Sequence, residues 1–229
     1  MKESDLYAPI KSLLESHNFI VKGEVKNCDI AAIRDDELWI VELKRHMSVD
    51  LIYQAMTRQA ISPFVFVAIP RPKRVNKQML KLLKKLELGL ITVAMDSPVV
   101  HAQIVLFPNV KNIKYGKKAA LLRREINGRV SDTPGGSTGI PIITAYKERC
   151  IKIACFLSQV ESISPKELRQ QGCEQGTGAI LLQNHYGWFE RISRGRYSLT
   201  ENGHNFLKNN ANSPVISHYI THAKIVLSD

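Results

Sequence analysis

The sequence predicts an α/β fold, a mixed β-sheet flanked by helices, followed by a smaller domain of helices and one hairpin. Three observations carry this. In the first half, apolar runs of strand length alternate with segments of helical periodicity. A stretch rich in Gly, Ser and Pro, SDTPGGSTGIP, then interrupts the pattern and reads as a linker or ordered loop. Beyond it come three closely spaced helix-start signals and two strands around a glycine.

Leu6, Ile10, Leu13 and Leu14 recur at helical spacing within residues 6–17. A strand is expected over residues 19–25. Two more follow in CDIAAIR and LWIVELK, joined as a hairpin through Asp35, Asp36 and Glu37. Ser48 is a good N-cap with Asp50 in the first turn of a helix ending near Ala60. Residues 64–69 form a continuous apolar run ended by Pro70, the pattern of a buried strand. Residues 75–86 read as a strongly basic amphipathic helix, 90–95 and 100–107 as further strands, and 111–129 as a basic stretch.

In the second half Thr144 caps a helix carrying Tyr146, Ile151, Ile153, Ala154 and Leu157. Ser164, Pro165 and Glu167 combine an N-cap, a proline at the first helical position and the acid of a capping box. A third helix spans residues 177–186 and stops at Gly187. The segment GWFERISRGRYSLTENG supplies a strand, a turn at Gly195 and a second strand before Thr200 and Glu201 open a last helix. Three helices followed by a hairpin is the plan of a winged helix-turn-helix. The expected division is 1–128 for the sheet domain, 129–143 for a linker or loop, 144–210 for the winged helix and 211–229 for a tail.

No apolar run approaches the roughly 20 residues a membrane-spanning helix needs. The segment MKESDLYAPIKSLLES is polar and amphipathic, unlike a secretory signal. The four cysteines, Cys28, Cys150, Cys155 and Cys173, form no CxxC pair, which argues against a zinc knuckle or a redox motif and for reduced thiols in a cytoplasmic protein. The net charge of +11 favours a polyanionic partner, nucleic acid above all. Residues 1–128 hold 21 Lys and Arg against 13 Asp and Glu, and residues 129–229 hold 11 against 8, so the sheet domain is the more basic part.

Within that basic domain, CDIAAIRDDELWIVELK places Asp29, Glu42 and Lys44 on two adjacent strands. Charges at the end of an apolar strand are costly unless paired or bound to a metal. Side chains alternate faces along a strand, so a two-residue loop of Asp35 and Asp36 sets Asp29 opposite Glu42, whereas an odd loop or a bulge turns it away. Brought together, the two carboxylates repel, and one pKa rises unless a cation intervenes. Mg²⁺ (or Mn²⁺) suits such a pair, because it takes carboxylate oxygens and keeps several waters. A water acidified by the metal attacks a phosphodiester. Lys44 either orients that water or neutralises charge developing on the phosphorus oxygens. Glu24 is a second candidate ligand one strand away, with a solvent-facing strand residue as its alternative reading.

The order Asp, strand, Glu-x-Lys, helix with Gln resembles the PD-(D/E)XK nuclease core. Asp29 takes the Asp position, with Cys28 where the proline often stands. Glu42-Leu43-Lys44 matches the E-x-K, and Gln54 matches the glutamine on the next helix, with Arg58 one turn later. Many members carry an acid on the first helix, for which Glu3 is the candidate and Asp5 a spare. More specifically, ESDLYAPIKSLLE, CDIAA, VELK, GGSTG, TAYKER and NHYGWFERISRGRYSLT are similar to an uncharacterised bacterial family of PD-(D/E)XK-type phosphodiesterases. The resemblance implies a restriction-endonuclease-like fold and hydrolysis of nucleic-acid phosphodiesters. It also implies a Mg²⁺ or Mn²⁺ site at Asp29, Glu42 and the Leu43 carbonyl, with Lys44, Gln54 and Glu3 assisting.

For nucleic-acid contact, the expected recognition helix offers Gln183 and Asn184, and the wing offers Arg191, Arg194 and Arg196. The basic stretch adds Lys117, Lys118, Arg123 and Arg124. Double-stranded DNA is the expected partner, with a homodimer one way for two sites to meet both strands. The alternative is a non-catalytic DNA-binding protein, a regulator or assembly module built on a degenerate nuclease scaffold. His218 and His222 read as a surface pair, and Trp188 and Phe189 as core anchors. The glycine-rich PGGSTG lacks the GK[ST] of a phosphate loop and reads as flexible.

Overall fold

The computed structural model describes residues 1–74, 76–96, 98–110, 113, 115–137 and 142–228. Lys111 and Lys114 of the basic stretch, and Thr138 and Gly139 of the glycine-rich segment, lie outside the described residues. The chain divides into two units, Met1–Ile142 and Ile143–Asp229.

In the first unit a short 3-10 turn, Glu3–Leu6, runs into α1 (Tyr7–Glu15). Then come β1 (Ile20–Val25), β2 (Cys28–Arg34), β3 (Glu37–Leu43), α2 (Val49–Arg58), β4 (Phe64–Pro70), α3 (Lys77–Lys85), β5 (Gly89–Ala94), β6 (His101–Leu106) and α4 (Lys117–Asn127). The six strands form one sheet in chain order. β1, β2 and β3 pair antiparallel, β3, β4 and β5 parallel, and β6 returns antiparallel to β5. The two parallel connections need crossovers, which α2 and α3 supply.

Both faces of the sheet are covered. Trp39, Val41 and Leu43 of β3 pack on one side with Leu6, Ile10 and Leu14 around α1. Leu38 and Ile40 pack on the other with Leu51 and Ala55 of α2, Leu83 of α3, and Ala119, Leu122 and Ile126 of α4. A strand buried on both faces reads as a continuous apolar run, which is why Leu38 to Val41 shows no alternation. A mixed six-stranded sheet flanked by helices fits a restriction-endonuclease-like α/β fold. The basic stretch hides an element: Ala119, Leu122 and Ile126 recur at helical spacing and are buried, while the intervening Lys and Arg face outward or pin loops.

The second unit holds α5 (Ala145–Leu157), α6 (Pro165–Gln170), α7 (Thr177–Gln183), the hairpin β7 (Phe189–Ser193) and β8 (Arg196–Leu199), α8 (Glu201–Asn209) and α9 (Pro214–Ser228). Thr144 caps α5 by accepting from Lys147 N–H, and Ser164 and Glu167 complete a reciprocal capping box on α6. α7 ends at Gln183, short of the expected residue 186, because Asn184 turns left-handed at φ 45°. The Asn184 amide then bonds both the N–H and the carbonyl of Phe189. Trp188 and Phe189 are core residues, as expected, and Trp188 stacks between Tyr186 and Phe206. The expected tail is instead a helix, α9. Its Val215, Ile216, Tyr219 and Ala223 are buried in the core of this unit, and Tyr219 donates to Glu148 Oε1 at 2.9 Å. Among the described residues, no helix is long and apolar enough to cross a membrane.

Candidate active site

The β2–β3 turn has two residues, Asp35 and Asp36, since Arg34 pairs with Glu37. The ladder continues to Ile30 against Val41, and its next rung is Asp29 against Glu42. There the backbone ladder gives way to a side chain, as Asp29 Oδ2 accepts from Leu43 N–H at 2.7 Å. The register that the chemistry requires is therefore present, and the two carboxylates lie side by side at the end of the sheet core. Glu42 is 2% exposed. Burial and then the negative charge of Asp29 push its carboxyl up to about 7, against the restraint of Arg58. Asp29 is also raised, chiefly by burial, while the Leu43 N–H and Lys44 hold it down.

Lys44 follows β3 directly, and its backbone N–H bonds Ala68. Its Nζ stands 3.6 Å from Glu3 Oε2, so the 3-10 turn before α1 delivers Glu3 to the site. The charge of Glu3 is felt at Asp29. Glu24 also comes in. The β1–β2 pairing of Gly23 with Ile30 and Val25 with Cys28 aligns it with Asp29, whose charge helps burial to raise the Glu24 carboxyl. Glu24 Oε1 accepts from Ser137 N–H at 3.1 Å, which makes it a wall of the site rather than a solvent-facing residue.

That contact corrects the flexible reading for residues 134–137, the described part of the glycine-rich segment. Asp132 accepts from Tyr7 Oη at 2.7 Å and from Gly23 N–H at 3.0 Å, and pairs with Lys11. The backbone from Asp132 to Ser137 thereby lies on the end of β1 and the start of β2. A Cβ on Gly23 would fall 2.0 Å from the Thr133 carbonyl, and one on Gly135 would fall 2.2 Å from the Asp29 carbonyl. Glycine stands at both positions because two backbones touch.

The resemblance puts Gln54 at the site, with Arg58 one turn later. In the structure, Arg58 makes the contact, donating from Nε to Glu42 Oε1 at 2.6 Å and from Nη2 to the Asn27 carbonyl. Gln54, one turn earlier on α2, is half-buried and has no described hydrogen bond to the site. The signal for Arg58 was its i+4 spacing from Gln54, which puts both on one helix face.

The donors are hard oxygens, two adjacent carboxylates whose mutual repulsion favours a cation between them, and they fit a divalent ion that keeps waters in its other positions. Among the described residues, no three His, Cys, Asp or Glu side chains converge as a metal cage. Asp29 and Glu42 are thus the protein ligand candidates, with the Leu43 carbonyl as a third donor.

The expected nucleic-acid contacts separate into two groups. Lys117, Lys118, Arg124, Gln183, Arg191 and Arg194 are exposed. The others are tied to neighbouring groups of the fold: Asn184 as above, Arg196 to Ser162 and Glu167, and Arg123 to the Asp35 and Asp36 carbonyls across the Tyr115 ring.

A family model described as "Putative PD-(D/E)XK phosphodiesterase (DUF2161)" matches residues 91–206, half of the chain. The chain belongs to this family. The part matched to this PD-(D/E)XK family begins in β5 and ends in α8. Asp29, Glu42 and Lys44 lie ahead of it, and their assignment rests on the geometry of β2 and β3. No curated protein and no solved structure matches the chain.

Proposed function

We propose that this protein is a metal-dependent nuclease that hydrolyses phosphodiester bonds of DNA. One observation carries the reading: Asp29 stands opposite Glu42 at the end of β3, with Lys44 and Glu3 paired beside them. Family membership supports phosphodiesterase chemistry. Asp29, Glu42 and the Leu43 carbonyl would hold Mg²⁺ or Mn²⁺, which supplies an acidified water and charge neutralisation when bound. Lys44 carries a positive charge at the strand end, where it meets the non-bridging oxygens of the scissile phosphate. Glu3 orients Lys44 through their ion pair. Gln54 supports the same side of the site from α2. The net charge of +11 supports a polyanionic substrate.

In the second unit, three helices followed by the β7–β8 hairpin support a winged-helix reading. Gln183, Arg191 and Arg194 would be its contacts to duplex DNA. Cutting both strands calls for two sites, which a homodimer provides.

The test is cleavage of plasmid, single-stranded DNA and RNA with Mg²⁺, Mn²⁺ or chelator. Wild type should cut, and Asp29→Ala, Glu42→Ala and Lys44→Ala should not. Cutting that survives all three substitutions sinks the assignment.

A second reading has one observation in its favour. The Arg58 guanidinium already neutralises Glu42, as it would in a scaffold that has lost its metal and binds DNA without cutting it. Salt-sensitive DNA binding without cleavage in any metal would establish that reading instead.

A further inference from the structure

A cavity of about 490 Å³ opens at the carboxyl ends of the parallel strands β3, β4 and β5. Its rim carries Arg45, Arg71 and Arg74, and its floor is formed by Ile69, Met79 and Leu80. Among the described residues, no carboxylate lines it. Thr92 also faces it, only 2% exposed, and its hydroxyl has no described hydrogen-bond partner. A hydroxyl that lines the space can bond whatever enters it.

The cavity adjoins the proposed cleavage site. Arg45 follows Lys44 in the chain. Glu42 pairs with Val67, and Val67 with Leu90, a residue of the cavity lining, so two strand spacings, about 10 Å, separate Glu42 from that wall. Val67 and Leu90 pack on the same face of the sheet as Ile40, the neighbour of Glu42 two residues back. An apolar floor, a cationic rim and one polar group pointing inward match a base, a phosphate and a base edge respectively.

We infer that this cavity receives one unpaired nucleotide of the substrate strand, with its phosphate at the arginine rim, its base over Ile69 and Met79, and the Thr92 hydroxyl on the base edge. The inference rests on the nuclease reading and names where the strand goes beside the cut. Arg71 is already oriented by Gln103, at 3.2 Å, which holds one arm of the rim in place.

The experiment is calorimetric titration of the full chain, in chelator, with dAMP, deoxyadenosine, inorganic phosphate and a short single-stranded oligonucleotide. Binding of dAMP should be at least tenfold tighter than binding of the nucleoside or of phosphate, and the oligonucleotide should displace it. Thr92→Val, close in shape, and the exposed pair Arg71→Ala with Arg74→Ala should each weaken dAMP at least fivefold without lowering the melting temperature. Phosphate that binds as tightly as dAMP would overturn the inference. So would the absence of saturable binding, affinity untouched by the substitutions, or dAMP that no oligonucleotide displaces. Cleavage measured on the same preparations separates the two ideas. Cutting without nucleotide binding removes the cavity inference alone, and nucleotide binding without cutting removes the nuclease reading.

Discussion

Arg58 donates from Nε to Oε1 of Glu42 at 2.6 Å, so a guanidinium holds one oxygen of a carboxylate proposed to bind metal. The pair is nearly dry on the Glu42 side, where the side chain is 3% exposed. An ion pair in such a place stabilises little relative to neutral groups of the same shape, yet removing one partner leaves a buried charge behind.

Glu42→Gln should therefore stabilise the metal-free protein while abolishing cleavage. The carboxyl of Glu42 is raised from 4.5 to about 7, so its contribution to stability is fully present below about pH 4.5 and is lost as pH rises through 7. Glutamine keeps an oxygen for Arg58 and removes the repulsion from Asp29. Thermal melts in chelator should show the variant gaining about 1 kcal/mol or more over wild type at pH 8, and little at pH 4. A variant no more stable than wild type at pH 8 would show that Glu42 is not strained by its burial.

Arg58→Ala removes the cation that competes for Glu42. The Mn²⁺ concentration giving half the maximal thermal shift, measured at one pH for both proteins, should fall about tenfold, as expected for the loss of one charged hydrogen bond. Metal affinity that falls instead would mark Arg58 as a support of the metal site.

The Asp132 carboxyl is opposed by its own burial, but Lys11, the Gly23 N–H and Tyr7 hold it below its usual 3.8. A lowered acid contributes stability above its unfolded pKa and loses it as pH falls through the folded value. Asp132→Asn should cost about 1 kcal/mol at pH 7, with the difference from wild type closing below pH 3.8 in urea titrations. A gap that does not narrow as pH falls below 3.8 would point to shape rather than charge.

Gly135→Ala should disturb the site without replacing a charged residue. Its Cβ would meet the Asp29 carbonyl at 2.2 Å, an overlap worth roughly 1–3 kcal/mol. The expected readouts are a lower melting temperature and a loss of cleavage larger than that of Gly116→Ala, where a Cβ meets nothing within 4 Å.

Much of the sheet was legible because its strands are bounded by chemistry. Ser48 caps α2 with its hydroxyl on Leu51 N–H, and the Asp35–Asp36 turn fixed the register that joins Asp29 to Glu42. Three things were not legible, each for a physical reason. The lysines and arginines of residues 117–124 mask a helix whose apolar face is only Ala119, Leu122 and Ile126. α9 follows a polar Asn-rich stretch, and its burial depends on α5, over fifty residues earlier. The contact of Glu24 with Ser137 joins positions 113 residues apart, a closure that no local pattern encodes.

The glycine-lined strap from Asp132 to Ser137 comes late in the first unit, whereas Glu3 and Tyr7 come at its start. Synthesis reaches Glu3, Asp29 and Glu42 long before the strap. A nascent chain thus carries its carboxylates without the wall that seats Glu24, and the site is assembled only when the whole unit has been made. A fragment ending ahead of residue 132 has every charged group of the site and lacks the backbone that closes it.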